Sequence, residues 1–108
     1  MSAVLRGQLE AMVLKVVQTL ADEAYGASVR RSINGTCRKQ YSIGAIYTTL
    51  ARLEEKGLLT SRMTEPLPER GGRSRRQYAI TGLGAKALQQ TEEMVLDFWA
   101  PKTVGIAS

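Results

Sequence analysis

The side chains that could do chemistry in this chain are hydroxyls, phenols and guanidinium groups, and they gather in two stretches. From Tyr41 to Leu59 the sequence reads YSIGAIYTTLARLEEKGLL, which sets Ser42, Tyr47, Thr48, Thr49 and Arg52 beside the small residues Gly44 and Ala45. Further on, Arg70, Arg73, Arg75 and Arg76 place four arginines within seven residues. Arg38 and Lys39 lie just ahead of the first stretch. Groups of this kind hold phosphates and read base edges: guanidinium forks pair with phosphate or guanine, hydroxyls bond backbone oxygens, and a methyl such as that of Ala45 can meet a thymine methyl. Fifteen Lys and Arg against ten Asp and Glu leave a net charge of +5, which points to a polyanionic partner.

What the composition lacks is as informative. There is no histidine, so Ser–His and Cys–His catalysis and most zinc sites are excluded. No phosphate-cradling glycine loop or pocket-like carboxylate pair is evident, and Glu54-Glu55 and Glu92-Glu93 read as solvated helix faces. No enzyme activity, metal or cofactor is expected. The lone Cys37 can form no internal disulfide and fits a reducing cytoplasm, the expected location. No apolar run reaches the ~18 residues of a membrane span. An apolar fraction of 44% over 108 residues suits one folded domain.

The elements that must position these groups follow from periodicity. Residues 8–21 carry Leu9, Met12, Val13, Val16, Val17 and Leu20, a wide apolar face for a first helix. Tyr25-Gly26 opens a second helix with Val29 and Ile33 inward and Arg30 and Arg31 outward, and Asn34-Gly35 is expected to end it. Ser42 caps a third helix whose stripe is Ile43, Ile46, Leu50 and Leu53, with Gly44, Ala45, Thr48, Arg52 and Glu55 opposite and Gly57 as its stop. LLTSRMT and RRQYAI read as two strands joined by the Pro- and Gly-rich segment EPLPERGGRSR, with Tyr78 buried in the sheet. Thr81 caps a last helix that runs to about Trp99, before Pro101. Its apolar residues, Leu83, Ala87, Leu88, Met94, Val95, Leu96, Phe98 and Trp99, are more than a lone surface helix carries. The expected fold is mainly α with a small β-hairpin, a winged helix-turn-helix of order helix-helix-helix-strand-wing-strand-helix, dimeric through its first and last helices. Residues 1–80 form the DNA-binding domain, 81–100 the dimerisation helix and 101–108 a flexible tail.

With these segments in place the sequence resembles the PadR family of transcriptional regulators. The likeness rests on LRGQLEAMVLKVV, YGASVRRSI, YSIGAIYTTLARLEEKGLL and GGRSRRQYAIT with Gly84, in order over nearly all of residues 5–84. It implies a dimeric DNA-binding protein, usually a repressor, whose third helix docks in the major groove while the wing touches the backbone and the C-terminal helix makes the dimer. By position it implies DNA contacts from Ser42, Tyr47 and Arg52 and from the wing residues Arg73, Arg75 and Arg76. Thr48 departs from the family, which often has proline after the tyrosine. With a single C-terminal helix the chain is similar to the short members.

The expected interface thus comprises Lys39, Ser42, Gly44, Ala45, Tyr47, Thr48, Thr49, Arg52, Arg70, Arg73, Arg75 and Arg76 on double-stranded DNA. Two recognition helices about 34 Å apart would read a palindromic operator. Met94, Phe98 and Trp99 are the candidate site for a flat hydrophobic effector between subunits, against the plainer reading that they pack the dimer. The competing functional reading is a winged-helix protein-interaction module in a larger assembly, for which an arginine-rich wing would be superfluous.

Overall fold

The computed structural model describes residues 7–64 and 75–99. Four helices and one hairpin follow in the order α1 (Gly7–Leu20), a 3₁₀ turn (Ala21–Glu23), α2 (Gly26–Thr36), α3 (Ile43–Glu55), β1 (Leu59–Met63), β2 (Arg76–Ile80) and α4 (Gly82–Trp99). The expected wing tip, with Arg70 and Arg73, lies outside the described residues, as does the expected tail.

The core is where α1, α2 and α3 meet beneath the hairpin. Val13, Leu14 and Val17 of α1, Val29 and Ile33 of α2, Ile46, Leu50 and Leu53 of α3, and Leu58 and Leu59 at the head of β1 are all buried. Each such large side chain contributes roughly 1.5–3 kcal/mol by leaving water. The wide stripe expected on α1 is only partly used: Leu9, Met12, Val16 and Leu20 pack at the core's margin and remain half-exposed. One expected member of the α3 stripe is displaced. Ile43 is 38% exposed, because it sits in the first turn, before the helix dips under its neighbours.

The helix ends are specified by side chains. The Ser42 hydroxyl accepts from Ala45 N at 3.1 Å and caps α3. At the far end Gly57 adopts φ +78°, Gly57 N donates to Glu54 O at 3.0 Å and Leu58 N to Leu53 O at 2.9 Å. This is the paired closure that turns a helix directly into the next strand. Thr81 caps α4 by accepting from Gly84 N at 3.0 Å and donates to Gly57 O at 2.7 Å, so the start of α4 is tied to the end of α3. Asn34-Gly35 does not end α2, which runs on to Thr36. Asn34 instead works from within the helix: its amide clasps the Tyr41 backbone, accepting from Tyr41 N and donating to Tyr41 O, both at 2.9 Å. Likewise α1 stops at Leu20, one residue short of expectation, where Ala21 turns to φ +51°.

The strands pair antiparallel, with Leu59 opposite Ile80, Ser61 opposite Tyr78 and Met63 opposite Arg76 on one face. At its Leu59–Ile80 and Ser61–Tyr78 end that face turns to the core, and Tyr78 is buried as expected, while Met63 and Arg76 at the wing end are exposed. The outer edge of β2 is also engaged. Tyr25 bridges Gln77, and Tyr78 N donates to Ala24 O at 2.9 Å, so the segment before α2 serves as a short third strand. Gly84 lets α4 lie directly on the Leu58 carbonyl, where a Cβ would collide with backbone. Beyond Leu88 no residue of α4 is buried, and Met94, Val95, Leu96, Phe98 and Trp99 all stand in solvent.

Candidate nucleic-acid interface

The α3 helix buries Ile46, Thr49, Leu50 and Leu53 and presents the opposite side to solvent. Ser42, Gly44, Tyr47, Thr48, Ala51, Arg52 and Glu55 are exposed, and Ala45 is half-exposed. Most of these recur at three- and four-residue intervals, so they form one continuous stripe. On the first turn the stripe itself carries only Ser42, Gly44 and Ala45, with the partly exposed Ile43 at its edge, which allows close approach to a groove floor. Ala51 is part of this face although its type carries no polar signal; only its spacing from Thr48 and Glu55 could have revealed it.

Thr49 is the exception among the expected contacts. It is 5% exposed, and its hydroxyl donates to Ala45 O at 2.8 Å. Position 49 falls on the same side as Ile46, Leu50 and Leu53, so the helix turns Thr49 into the core and its hydroxyl is spent on the helix itself. It is not a groove-facing residue.

Tyr47 is 47% exposed and lies against the N-terminus of α2. Gly26 makes this possible: a Cβ there would overlap the Tyr47 ring. The turn before α3 is braced by Arg30, whose Nε donates to Tyr41 O at 3.1 Å, and by Gln40, whose amide donates to Asn34 O at 2.9 Å. Lys39 is exposed with its Nζ 5.3 Å from the centre of the Tyr41 ring. It therefore stands beside the entry to the stripe, held by a cation–π contact.

The root of the wing is fastened to α3 by a polar relay. Ser61 Oγ donates to Glu54 Oε2 at 2.8 Å, and Arg76 Nη1 donates to Ser61 Oγ at 3.0 Å. Arg76 is thereby set on the hairpin face nearest α3. Burial pushes the Tyr78 phenol above its ordinary value near 10; Arg76 opposes that rise, and Glu54 and Tyr47 add to it. Arg75 is anchored through its backbone, with Thr64 N donating to Arg75 O at 2.8 Å and Arg75 N to Thr64 Oγ1 at 3.0 Å. Its guanidinium stacks 4.0 Å above the centre of the Tyr25 ring.

Away from the residues of the α3 stripe and the hairpin, an apolar groove of about 640 Å³ opens between α1, α2 and α4, lined among others by Met12, Val16, Cys37, Leu88, Val95 and Leu96. The expected effector residues do not line it. Phe98 and Trp99 stand beyond it, edge to face with their ring centres 5.1 Å apart, and Met94 is also exposed. Met94 points away from the groove that its neighbours Val95 and Leu96 line, and Phe98 and Trp99 lie one turn further along α4.

Three helices, a hairpin whose root is fixed to the third of them, and an exposed slim polar stripe on that helix define a winged helix-turn-helix of the DNA-binding kind. The chain belongs to the transcriptional regulator PadR-like family, whose model matches residues 13–90. It is a DNA-binding transcriptional regulator. Among solved structures it is similar to a PadR-like transcription factor from Bacteroides fragilis, at 23% identity and a TM-score of 0.72 over 93% of this chain and 89% of that one. It is also similar to a PadR family regulator from Clostridium difficile R20291, at 19% identity and a TM-score of 0.68 over 88% of this chain and 100% of that one. A Streptococcus transcriptional regulator aligns at 23% identity with a TM-score of 0.70, covering 93% and 92% of the two chains. A search of curated proteins finds no match. Among the described residues no helix is long and apolar enough to cross a membrane.

Proposed function

We propose that the protein is a repressor that binds a palindromic operator as a homodimer. The observation that carries this reading is the separation of two surfaces on one small domain. The α3 stripe and the wing root, joined by the Glu54–Ser61–Arg76 relay, expose Arg52, Arg75 and Arg76 as a polar, cationic surface. The half-exposed side of α1 and the bare end of α4 supply an apolar surface that a second copy can cover. Trp99 is 75% exposed in the single chain, and leaving it, Phe98, Leu96 and Val95 in water forfeits stabilisation that a twofold partner recovers. Paired in this way, two α3 helices address successive major grooves about 34 Å apart, and occupancy of the promoter excludes polymerase.

In the same reading Ser42, Gly44, Ala45, Thr48 and Ala51 meet base edges. Tyr47, Arg52, Lys39 and the wing arginines hold phosphates. A flat hydrophobic compound lodged against Trp99 between subunits alters their spacing and releases the operator. Selection of bound duplexes from a random pool by the purified protein tests the core of this proposal. The expected result is an inverted repeat with half-sites one helical turn apart. Recovery of asymmetric or unrelated sequences overturns it. Tryptophan fluorescence that ignores a panel of planar compounds removes the effector.

A further inference from the structure

A second basic feature lies off the recognition stripe. A cleft of about 310 Å³ opens between the start of α2, Tyr47 of α3 and the root of the wing. Arg31 lines it from α2, and Arg75 and Arg76 line it from β2. Tyr25 forms part of its wall, and Glu23 is the carboxylate at its edge. Among the described residues none of the three guanidiniums is in an ion pair. Among the described residues three cations and a single carboxylate line the cleft, an excess of positive charge, and Glu54 reaches Arg76 only through Ser61.

The cleft is also built to hold its shape. Its α2 and β2 walls are stitched together by the Tyr78 N to Ala24 O bond, by the Tyr25–Gln77 bridge and by Gln77 Nε2 donating to Asp22 O at 2.7 Å. Arg75 is stacked on Tyr25, Arg76 is held by Ser61, and the Tyr47 ring is seated on Gly26. Tyr25 N donates to Ser28 Oγ at 2.9 Å, and Ser28 Oγ donates in turn to Glu23 O at 2.6 Å, which fixes the bend ahead of α2. Arg75 and Arg76, held by these contacts, line the cleft together with the exposed Arg31 and the Tyr47 ring, a set of donors that suits a tetrahedral oxyanion.

We propose that this cleft clamps one backbone phosphodiester of the bound duplex, with Arg31 and the Tyr25-stacked Arg75 as its principal donors. The assignment rests on the DNA-binding reading and adds to it a contact from α2, an element outside both the recognition helix and the wing. Glu23 opposes the bound phosphate, so the two signs of charge in the cleft make opposite predictions.

The test is fluorescence anisotropy on a labelled duplex recovered by selection, titrated at several salt concentrations. Arg31→Ala is expected to weaken binding about tenfold and to flatten the slope of log K against log salt by about 1, as one lost phosphate contact requires. Glu23→Gln is expected to tighten binding, a gain that misfolding cannot mimic. Lys86→Ala, a charge removed from the exposed side of α4, serves as the control and leaves the slope unchanged. Inorganic phosphate, compared with chloride at matched ionic strength, is expected to compete no better than chloride. Unchanged affinity and slope in Arg31→Ala, or weakened binding in Glu23→Gln, overturns the clamp while leaving the regulator reading intact. Displacement of the duplex by inorganic phosphate assigns the cleft to a free anion and overturns the backbone contact. A wild-type protein that binds no duplex removes the regulator reading and the clamp with it.

Discussion

The Tyr47 ring lies over Gly26, so that the exposed face of α3 meets the first turn of α2 in the space a Cβ at position 26 would fill. The phenol keeps its place because nothing projects from Gly26. Tyr47 is half-exposed and its ring is free to swing outward if pushed. Gly26→Ala is therefore expected to leave the fold standing, with thermal stability changed by no more than about 1–2 kcal/mol, and to weaken operator binding about tenfold. In a Tyr47→Ala background the same change should cost nothing further. A double-mutant cycle on binding measures this, and additive losses would show that the two residues act separately.

Gly84 presents the opposite case. The obstacle to a Cβ there is the Leu58 carbonyl, a backbone atom at the head of β1, with Ile80 close behind. Backbone cannot swing aside. Gly84→Ala should destabilise by at least about 2–3 kcal/mol, read as a lower denaturation midpoint with an unchanged slope.

Tyr78 links pH to stability. Burial raises its folded-state value above the ordinary one near 10, so the folded chain holds the phenolic proton more tightly than the unfolded chain does. This contribution is fully present below the unfolded value and is lost as pH rises through the folded one. Wild-type stability should fall more steeply than that of Tyr78→Phe above about pH 10. Parallel denaturation curves for the two proteins across that range would contradict the assignment.

Glu10 and Lys56 join the first turn of α1 to the end of α3 at 2.7 Å, and the Glu10 side chain is only 6% exposed. Truncating either partner should cost about 1.5–3 kcal/mol, the range for a hydrogen bond to a charged group. The double variant Glu10→Gln with Lys56→Met should lose less than the sum of the two single losses. Chemical denaturation of all four proteins decides the matter. Strict additivity would mean that the pair has no coupling.

The apolar end of α4 yields a prediction about assembly. Val95→Asp places a charge on the wall of the α1–α4 groove, away from the α3 stripe. Sedimentation of this variant should give a monomer where the wild type gives a dimer, and operator affinity should fall by about two orders of magnitude or more, because a single half-site remains. A monomeric wild type at micromolar concentration would defeat the proposed pairing.

Much of this architecture was legible from spacing alone. Ser42, Gly57 and Thr81 stand at their helix ends because hydroxyl caps and a left-handed glycine are local signals. The alternation of Arg76, Tyr78 and Ile80 set the face of β2 for the same reason. Tertiary geometry was not legible. Thr49 belongs to the core by angle, yet its type suggested a contact, and Asn34 read as a turn signal when its amide works across seven residues. The pairing of Tyr25 with Gln77 joins positions more than fifty residues apart, which no local pattern records. The α2 side of the phosphate cleft was invisible for the same reason. Arg31 looked like any outward cation until the hairpin came to lie beside it.

The relay from Glu54 through Ser61 to Arg76 has a further effect. It makes the distance from the reading helix to the wing root a property of the protein and not of the nucleic acid. A fixed caliper laid across a duplex has to be matched by the width of what it spans. Stretches that narrow or widen at little elastic cost will seat more easily than stiff ones, so base pairs that no side chain touches can still enter the preference.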